Sequence, residues 1–279
     1  MKIIVDCNYM CYTGMFALQG LSYNNQQSGI IFNFINKIIK VANNLKINDF
    51  IFIWDSRRSK RRLMYTPYKH KRNKDKTDEQ LELESIAFPQ FERLKDEIIP
   101  DLGFRNNFMQ EWYEGDDLIA SIVKNKPDSY LVLSNDKDGY QLLDHCSMMN
   151  FKERVYTKND LMTEFGCTPK EWEEVKQLGG CLSDNVEGVS GVKEKTAIKF
   201  MHGKMKPASK TFRNILMTAP LIKERNKTLT KLPFKGTLTP KIKDFEKLDI
   251  KDYISVCNRY GFRSLVTGDK LDKFRENFC

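Results

Sequence analysis

The chain has 279 residues, of which 41% are hydrophobic, 11% aromatic and 30% charged. These proportions exclude collagen-like, low-complexity and wholly disordered proteins, and no apolar run approaches the roughly 20 residues that a membrane-spanning helix needs. Lys and Arg number 46 against 37 Asp and Glu, giving a formal net charge of +9. This balance favours an anionic partner, with nucleic acid ahead of an anionic membrane.

The cysteines and histidines do not have the spacing of a structural zinc site. Seven cysteines are scattered without a CxxC pair, and the three histidines are His70, His145 and His202. The sequence begins MKIIVD, which has neither a basic leader nor an apolar signal region. We therefore expect a cytosolic protein with reduced thiols and no zinc-dependent chemistry.

Short apolar runs that end in carboxylates predict three buried parallel strands. Residues 3–5 lead into Asp6, residues 50–54 into Asp55, and residues 130–133 towards Asp136 and Asp138. Residues 30–41 and the segment after Glu114-Gly115-Asp116-Asp117 have helical spacing, which completes a βαβα pattern. The carboxyl ends of parallel strands border one crevice, so the four aspartates are expected to be neighbours.

Clustered carboxylates repel one another unless a positive charge lies among them. Oxygen ligands without His or Cys suit Mg²⁺ or Mn²⁺. The alternative is that each acid only caps a helix or ends a turn. The same two interpretations apply to Glu114, Asp116 and Asp117, which stand just before an apolar helix.

Residues 57–76 hold ten Lys or Arg against the single Asp75, and we expect that this run cannot pack in a core. Tyr65 and Tyr68 lie within it, a mixture typical of surfaces that bind nucleic-acid strands. The alternative is a solvated, disordered loop, which is compatible with ordering on nucleic acid. Thr77 and Gln80 have capping-box spacing, so a helix is expected to resume there despite Pro89.

The chain is expected to become mainly helical from about Asp184. Gly188 and Gly191 flank a helix start that continues into Lys193 and Lys195. Glycines let backbone amides approach a phosphate, and the lysines add positive charge. A helix end followed by an ordinary turn would look similar.

At five ordered segments the chain resembles the flap endonuclease and 5′-3′ exonuclease family of phages and bacterial polymerase amino-terminal domains. The segments are PYKHKR (67–72), EGDDLIASIV (114–123), SNDKDGYQLL (134–143), SDNVEGVSGVKEKTA (183–197) and RYGFRSLV (259–266). The resemblance implies an α/β fold with a PIN-like, mostly parallel central sheet flanked by helices. It implies a nuclease domain over 1–175, with a basic arch at about 56–95, and a helix-three-turn-helix and helical DNA-binding region over 176–279.

The resemblance also implies a metal-dependent, structure-specific 5′ nuclease that hydrolyses DNA phosphodiesters in replication or primer removal. Its substrate would be DNA with a 5′ end or flap, or an RNA–DNA hybrid, and it would act as a monomer without a membrane partner. Its place would be the cytoplasm of a bacterial cell or a phage-infected host. Implied cofactors are Mg²⁺ at two sites, Mn²⁺ as a substitute, and K⁺ at the helix-three-turn-helix.

Roles follow by position in the matched motifs. The first metal would be held by Asp6, Asp55, Glu114 and Asp116, with Asp117 close behind, and the second by Asp136, Asp138 and Asp184. Lys69 and Arg72 would contact the scissile phosphate. DNA contacts would come from Arg57, Arg58, Arg61, Arg62, Tyr68 and Lys71 in the basic run, and from Gly188, Gly191, Lys193 and Lys195.

The chain departs from the family pattern at Cys181, where the family has a further aspartate. Thiolate is a poor Mg²⁺ ligand, so the second site would be weakened or shifted towards Mn²⁺. The alternative is that Cys181 is a small buried residue and the other ligands suffice. Three competing functions stay open. One is a DNA-binding protein whose catalysis has faded at Cys181, and another is a PIN-type ribonuclease, which leaves residues 183–197 unexplained. The third is a phosphatase built on Asp136 and Asp138, whose nucleophile should lie at the first strand, where only Asp6 stands.

Overall fold

The computed structural model describes residues 1–15, 20–71, 76–125 and 129–279. The strands are β1 (Lys2–Asp6), β2 (Ser22–Tyr23), β3 (Gln26–Gln27), β4 (Phe50–Trp54), β5 (Asn107–Met109), β6 (Tyr130–Leu133), β7 (Ser147–Met149), β8 (Val155–Tyr156), β9 (Gly180–Cys181) and β10 (Val186–Glu187). The helices are α1 (Cys7–Gly14), α2 (Gly29–Leu45), α3 (Lys60–Met64), α4 (Asp78–Arg93), α5 (Ile99–Asp101), α6 (Gly115–Asn125), α7 (Lys158–Phe165), α8 (Pro169–Gly179), α9 (Glu194–Met201), α10 (Lys210–Thr230), α11 (Ile250–Arg259) and α12 (Asp269–Phe278). A π-helical turn, Leu94–Ile98, joins α4 to α5, and 3₁₀ turns cover Lys137–Leu142, Leu182–Asp184 and Arg263–Leu265.

The central sheet has the strand order β5-β4-β1-β6-β7-β8. The first five strands are parallel, and β8 pairs antiparallel with β7. The three predicted strands are confirmed as its centre, with β1 between β4 and β6. The short strands β5, β7 and β8 were not predicted, because two or three residues are too few to give an apolar run.

Helices cover both faces of this sheet, and alternation along β1 explains why. Ile3 and Val5 pack into one core with α2 and with residues of α11 and α12, whereas Ile4 packs into a second core with residues of α6 and α8. A parallel strand buried on both faces reads as a continuous apolar run, as observed here. Among the described residues, no helix combines the length and the apolar character needed to cross a membrane.

The segment predicted as the basic arch, about 56–95, contains α3 and α4. The capping box at the start of α4 is present: Thr77 Oγ1 accepts from Gln80 N at 3.3 Å, and Gln80 Oε1 accepts from Thr77 N at 3.1 Å. Pro89 lies inside α4, which continues to Arg93. The predicted helix after the basic run is therefore confirmed.

The carboxyl-terminal part is less uniformly helical than expected. Helices α9 to α12 follow Asp184, but β10 comes first and residues 231–249 form neither helix nor strand. The proposed boundary after residue 175 falls inside α8, and α11 and α12 share the first core with the amino-terminal elements. The division into two domains stays a prediction.

Gly188, directly after β10, is required for the close approach of the chain there to the end of α8. A Cβ on Gly188 would lie 2.3 Å from the carbonyl carbon of Gly179, whereas a Cβ on Gly191 would meet nothing within 4 Å. Gly191 has a φ of +77°, so its substitution costs only backbone strain. We therefore expect Gly188→Ala to lower the free energy of unfolding by roughly 3 kcal/mol, and Gly191→Ala by about 1 kcal/mol. Urea unfolding measures both losses, and equal losses would show that Gly188 is not held by this contact.

Candidate metal and nucleic-acid site

A cleft of about 450 Å³ opens at the carboxyl ends of β1, β4 and β6. Its carboxylates are Asp6, Asp55, Glu114, Asp116, Asp136, Asp138, Asp184 and Glu194, and its ammonium groups are Lys69, Lys137 and Lys176. The expected convergence of the strand-end aspartates is therefore observed. It follows from the parallel pairing of three strands whose last residues share one edge.

Asp6 ends β1 and caps α1. Its Oδ1 accepts from Tyr9 N at 3.0 Å, and its Oδ2 accepts from Ser134 Oγ at 2.9 Å. Desolvation, followed by repulsion from Asp55, raises the pKa of Asp6 to about 7. The capping interpretation is thus correct for Asp6, but the cap alone does not relieve the repulsion within the cleft.

Asp55 follows β4 and is joined to the start of α6. Gly115 N donates to its Oδ1 at 2.6 Å, and a Cβ on Gly115 would lie 3.1 Å from that oxygen. The absence of a side chain at Gly115 allows this approach. The EGDD segment therefore brings its acids against the end of β4.

Asp116 and Asp136 complete the first group of carboxylates. The resemblance implies that Asp136 holds the second metal, but besides burial its charge raises the pKa of both Asp116 and Asp6, so we group it with them. Desolvation and then Asp136, Asp6 and Asp55 raise the pKa of Asp116, more than offsetting the lowering by Lys69. Desolvation and Asp138 raise the pKa of Asp136, although Asp136 accepts a hydrogen bond from Asp138 N at 2.8 Å. A group of oxygen ligands that resist ionisation together is chemically suited to a divalent hard cation.

Glu114 borders the same cleft but is held by the arch. Its Oε2 lies 3.0 Å from Lys69 Nζ and accepts from Tyr68 Oη at 2.9 Å, and Ser59 Oγ donates to its Oε1 at 3.1 Å. Burial raises the pKa of Glu114, but Lys69 and Arg61 outweigh it and bring the pKa below its usual value. Glu114 is therefore an ionised anchor for the arch.

Lys69 is fixed in the cleft by its backbone as well as its side chain. Its N–H donates to the Asp184 carbonyl at 2.8 Å, its φ is +53°, and its Nζ lies 3.9 Å from Asp184 Oδ2. A left-handed backbone is uncommon for a residue with a side chain. This conformation turns the Lys69 ammonium group towards the carboxylates.

Tyr68, which was predicted to contact DNA, is buried instead of lying at the surface. Its ring is 3% exposed, and its hydroxyl lies 2.9 Å from Glu114 and 3.1 Å from Asp184. Burial and these two carboxylates raise the pKa of Tyr68 well above its usual value. Tyr68 therefore connects the arch to the cleft as a hydrogen-bond donor.

Arg61 and Asp117 are both buried behind the cleft, Arg61 instead of lying at a DNA-binding surface and Asp117 behind Glu114. Arg61 is 2% exposed, and its guanidinium forms two hydrogen bonds to Asp117 at 2.6 and 2.7 Å. Asp117 also accepts from Glu114 N and Phe234 N, so both of its oxygens are engaged away from the cleft. Arg61 and Tyr68 further correct the expectation that the basic run cannot pack in a core.

Asp138, Cys181 and Asp184 form a second group, with ligand atoms within 4.8 Å of one another. Desolvation, followed by Asp138 and Asp184, raises the pKa of Cys181 to about 11, so its thiol is protonated at neutral pH. Lys176 Nζ lies 2.7 Å from Asp138 Oδ1. This group offers a divalent cation less negative charge than the first group does.

Lys176 was not predicted as a site residue. It is 6% exposed on α8, among neighbours that include charged residues. Lysines in a helix of this composition are usually exposed to solvent. Nothing in the sequence spacing separates Lys176 from such exposed lysines. Only the packing of α8 against Lys137–Leu142 brings it to the cleft.

The other predicted DNA contacts lie at the surface. Arg57, Arg58, Arg62 and Lys71 are exposed in or beside α3, and Lys193 and Lys195 are exposed at the start of α9. Arg57 forms an ion pair with Glu92 at 3.1 Å. Arg72 lies outside the described residues. The roles of these residues and of Gly188 and Gly191 in DNA binding stay predictions.

Replacing the buried Arg61 tests whether its ion pair with Asp117 stabilises the structure behind the cleft, which we call the frame. Arg61→Met leaves the Asp117 carboxylate buried without its cation, so we expect a loss of about 3–5 kcal/mol in the free energy of unfolding. Arg62→Met makes the same change at the exposed neighbouring position and should alter stability by about 0.5 kcal/mol or less. Chemical denaturation of both variants compares them. Similar stabilities would show that the Arg61–Asp117 pair does not hold the frame.

Thermal unfolding tests whether the first group binds a cation. The Asp6 carboxyl has a pKa of about 7 in the folded protein and 3.8 as its reference value, so its contribution to stability falls as pH rises through this window. A cation that binds the ionised cluster should therefore raise the melting temperature more at pH 8 than at pH 5. Asp116→Asn should raise the metal-free melting temperature and reduce the Mg²⁺-dependent gain. A gain independent of pH and unchanged in Asp116→Asn would place the ion elsewhere.

Comparison with known proteins identifies the family. The family model described as 5′-3′ exonuclease, N-terminal resolvase-like domain, matches residues 1–166. The 5′-3′ exonuclease of Buchnera aphidicola subsp. Schizaphis graminum is 26% identical over 245 residues, covering 84% of this chain and 82% of that protein. A thermostable DNA polymerase I of Thermus thermophilus is 28% identical over 205 residues, covering 71% of this chain and 23% of the polymerase. The match thus spans about a quarter of the polymerase's length.

Solved structures share the fold across nearly the whole chain. The bacteriophage T5 5′-exonuclease with divalent metal ions (zinc) bound is 20% identical, with a TM-score of 0.69 over 99% of this chain and 97% of the other. Flap endonuclease-1 from Methanococcus jannaschii is 14% identical, with a TM-score of 0.60 over 99% and 92% of the two chains. These likenesses confirm the predicted fold class. Since the family match covers more than half of its length, the chain belongs to the 5′-3′ exonuclease family with the N-terminal resolvase-like domain.

Proposed function

We propose that this protein is a metal-dependent, structure-specific 5′ nuclease that hydrolyses phosphodiesters of DNA carrying a 5′ end or flap. The observation that carries the proposal is the cleft in which the strand-end carboxylates meet Lys69 of the arch. Membership of the 5′-3′ exonuclease family supports this reaction class. The acidic floor beside a basic arch also suits a phosphodiester that is held by cations and cleaved near carboxylate-bound metal.

The first group, Asp6, Asp55, Asp116 and Asp136, would hold a divalent ion, with Glu114 at its border. Mg²⁺ suits the all-oxygen donor set, and Mn²⁺ is its expected substitute. When bound, the metal lowers the pKa of water and stabilises charge on the leaving oxygen. Asp138 and Asp184 would take a second ion mainly when a substrate phosphate adds oxygen ligands, because Cys181 and Lys176 reduce the negative charge there.

The protein's own residues position and neutralise the phosphate. Lys69 is fixed through its backbone to Asp184 and through its side chain to Glu114, so its ammonium is preorganised to donate to a phosphate oxygen. Tyr68 keeps Glu114 and Asp184 in place from behind. Little reorganisation is then needed when negative charge develops on the substrate.

The exposed cations position DNA without reading its sequence. Lys193 and Lys195 lie on one side, and Arg57, Arg58, Arg62 and Lys71 on the arch, where they would contact backbone phosphates. A solved structure with a TM-score of 0.68 to this chain is described as a flap endonuclease complex with DNA and metal ions. DNA shape, rather than base sequence, would select the substrate. The proposal further includes K⁺ at the helix-three-turn-helix, an RNA–DNA hybrid as a second substrate, and action as a monomer.

A 5′-flap duplex labelled at both ends tests the function directly. Wild-type protein should cleave it with Mg²⁺ or Mn²⁺ and not with EDTA, and Asp116→Asn should bind but not cleave it. Tight binding without cleavage, with activity restored by Cys181→Asp, would favour the DNA-binding alternative. Faster cleavage of a matched RNA flap would favour the ribonuclease alternative.

Lys69→Ala tests the role of the fixed ammonium. We expect single-turnover cleavage to slow by about 10²-fold, the usual loss when one preorganised donor to a developing oxyanion is removed, with much less change in DNA affinity. Lys71→Ala, an exposed lysine on the same arch, is the matched control and should affect binding more than the rate. Equal effects of Lys69→Ala on rate and affinity would contradict a catalytic Lys69.

A further inference from the structure

A second pocket, of about 260 Å³, adjoins the acidic cleft and shares Asp55, Lys69 and Glu114 with it. Its remaining lining includes three arginines, Arg57, Arg58 and Arg62, together with Trp112. Pockets for drug-sized ligands are typically about 300–1,000 Å³, so this one suits a group no larger than a single nucleotide. Arg57 forms an ion pair with Glu92 at 3.1 Å, and Arg58 a longer one with Glu111 at 3.9 Å. Three guanidinium groups beside one small pocket still favour an anion with several oxygens.

Trp112 has an unusual backbone conformation at this pocket. Its φ is +73°, in the left-handed region that bulky side chains rarely adopt. Both of its backbone polar groups are engaged: its N–H donates to Ser56 Oγ at 3.0 Å, and its carbonyl accepts from Lys60 N at 3.0 Å. Strain of this kind persists only where the surroundings over-determine it, and it commonly marks a functional position.

The Trp112 ring lies against the Arg58 side chain. The Arg58 guanidinium lies 5.0 Å from the centre of the Trp112 ring, and Arg58 N donates to the same Ser56 Oγ at 3.2 Å. Trp112 is half-buried and packs partly against the second core, so the ring is a rigid support. Stacking on a fixed ring limits the freedom of an otherwise exposed arginine.

We propose that this pocket binds a phosphate group of the substrate strand, that Arg58 is its main ligand, and that Trp112 is the residue that positions Arg58. The inference rests on the proposed function, since it assigns the phosphate to the strand that enters the acidic cleft. The same chemistry fits a terminal 5′-phosphate or the next internal phosphodiester. Arg57 and Arg62 add charge at the rim of the pocket.

Salt dependence of binding tests the phosphate contact without any cleavage. A 5′-flap duplex is bound to the full chain in EDTA over a series of salt concentrations. Each phosphate contact contributes about 0.7–0.9 to the slope of log K against log[salt], so Arg58→Ala should reduce that slope by roughly this amount. Arg275→Ala removes an exposed arginine from α12 and should leave the slope unchanged. Equal slopes for Arg58→Ala and wild type would overturn the inference.

Substitutions at Trp112 separate positioning from packing. Trp112→Phe keeps a ring and should retain most of the wild-type affinity and slope, whereas Trp112→Gly relieves the left-handed strain but should reproduce the Arg58→Ala slope. If both variants lost affinity only in proportion to the fall in their melting temperatures, Trp112 would have a packing role and the positioning claim would fail.

A flap with a 5′-hydroxyl end identifies the source of the phosphate. An Arg58 effect that disappears with this flap assigns the terminal phosphate, and one that persists assigns the internal phosphodiester.

The outcomes keep the two proposals distinguishable. Failure of the wild-type protein to bind the flap would contradict the proposed DNA substrate itself. Binding and cleavage by wild type, together with an unchanged slope in Arg58→Ala, would leave the nuclease standing and remove only the phosphate pocket.

Discussion

The buried ion pair between Arg61 and Asp117 is the interaction on which the site depends. It joins the base of the arch to α6, and Arg61 Nε also donates to the Leu229 carbonyl at 2.9 Å, while Phe234 N donates to Asp117. Three segments far apart in the chain are thus fixed at one point. Asp117 also accepts from Glu114 N at 3.2 Å, so the pair sets the backbone from which the cleft acids project. Removing one partner of such a buried ion pair strongly destabilises the protein, because the other charge is left buried without compensation.

The carboxylates of the cleft repel one another, whereas Arg61 and Asp117 attract each other. Burial and neighbouring carboxylates raise the pKa values of Asp6, Asp116 and Asp136, so the folded protein holds together groups that would separate in a flexible chain. The rigid sheet edge and the Arg61–Asp117 pair supply the constraint. Repulsion that is tolerated by a stable frame is typical of sites that bind cations or stabilise charge during a reaction. The same reasoning applies to the left-handed conformations of Lys69 and Trp112, which neighbouring hydrogen bonds hold in place.

The sequence predicts the strand-end carboxylates of the cleft well, but it predicts poorly the buried residues that support them, Arg61, Tyr68 and Lys176. Strand-end acids are predictable because an apolar run fixes where a parallel strand ends, and parallel strands share that edge. Arg61 and Tyr68 were placed at the surface because local composition describes a basic run as a whole. Which arginine in that run becomes buried depends on Asp117, 56 positions away. Lys176 was missed for the same reason, since its carboxylate partner is reached only through helix packing.

Cys181 distinguishes the two halves of the cleft. Of the two interpretations offered by the sequence, a passive small residue and a weakened ligand, the structure supports features of each: the thiol is half-buried, yet it lies among the ligand atoms of Asp138 and Asp184. A protonated thiol contributes no charge, and Lys176 already neutralises part of that of Asp138. The first half of the cleft carries repulsion that a cation would relieve, whereas the second half is largely balanced by the protein's own lysines. The demand for a divalent ion is therefore concentrated among Asp6, Asp55, Asp116 and Asp136, and an ion in the second half would depend on the oxygens that a bound phosphate brings.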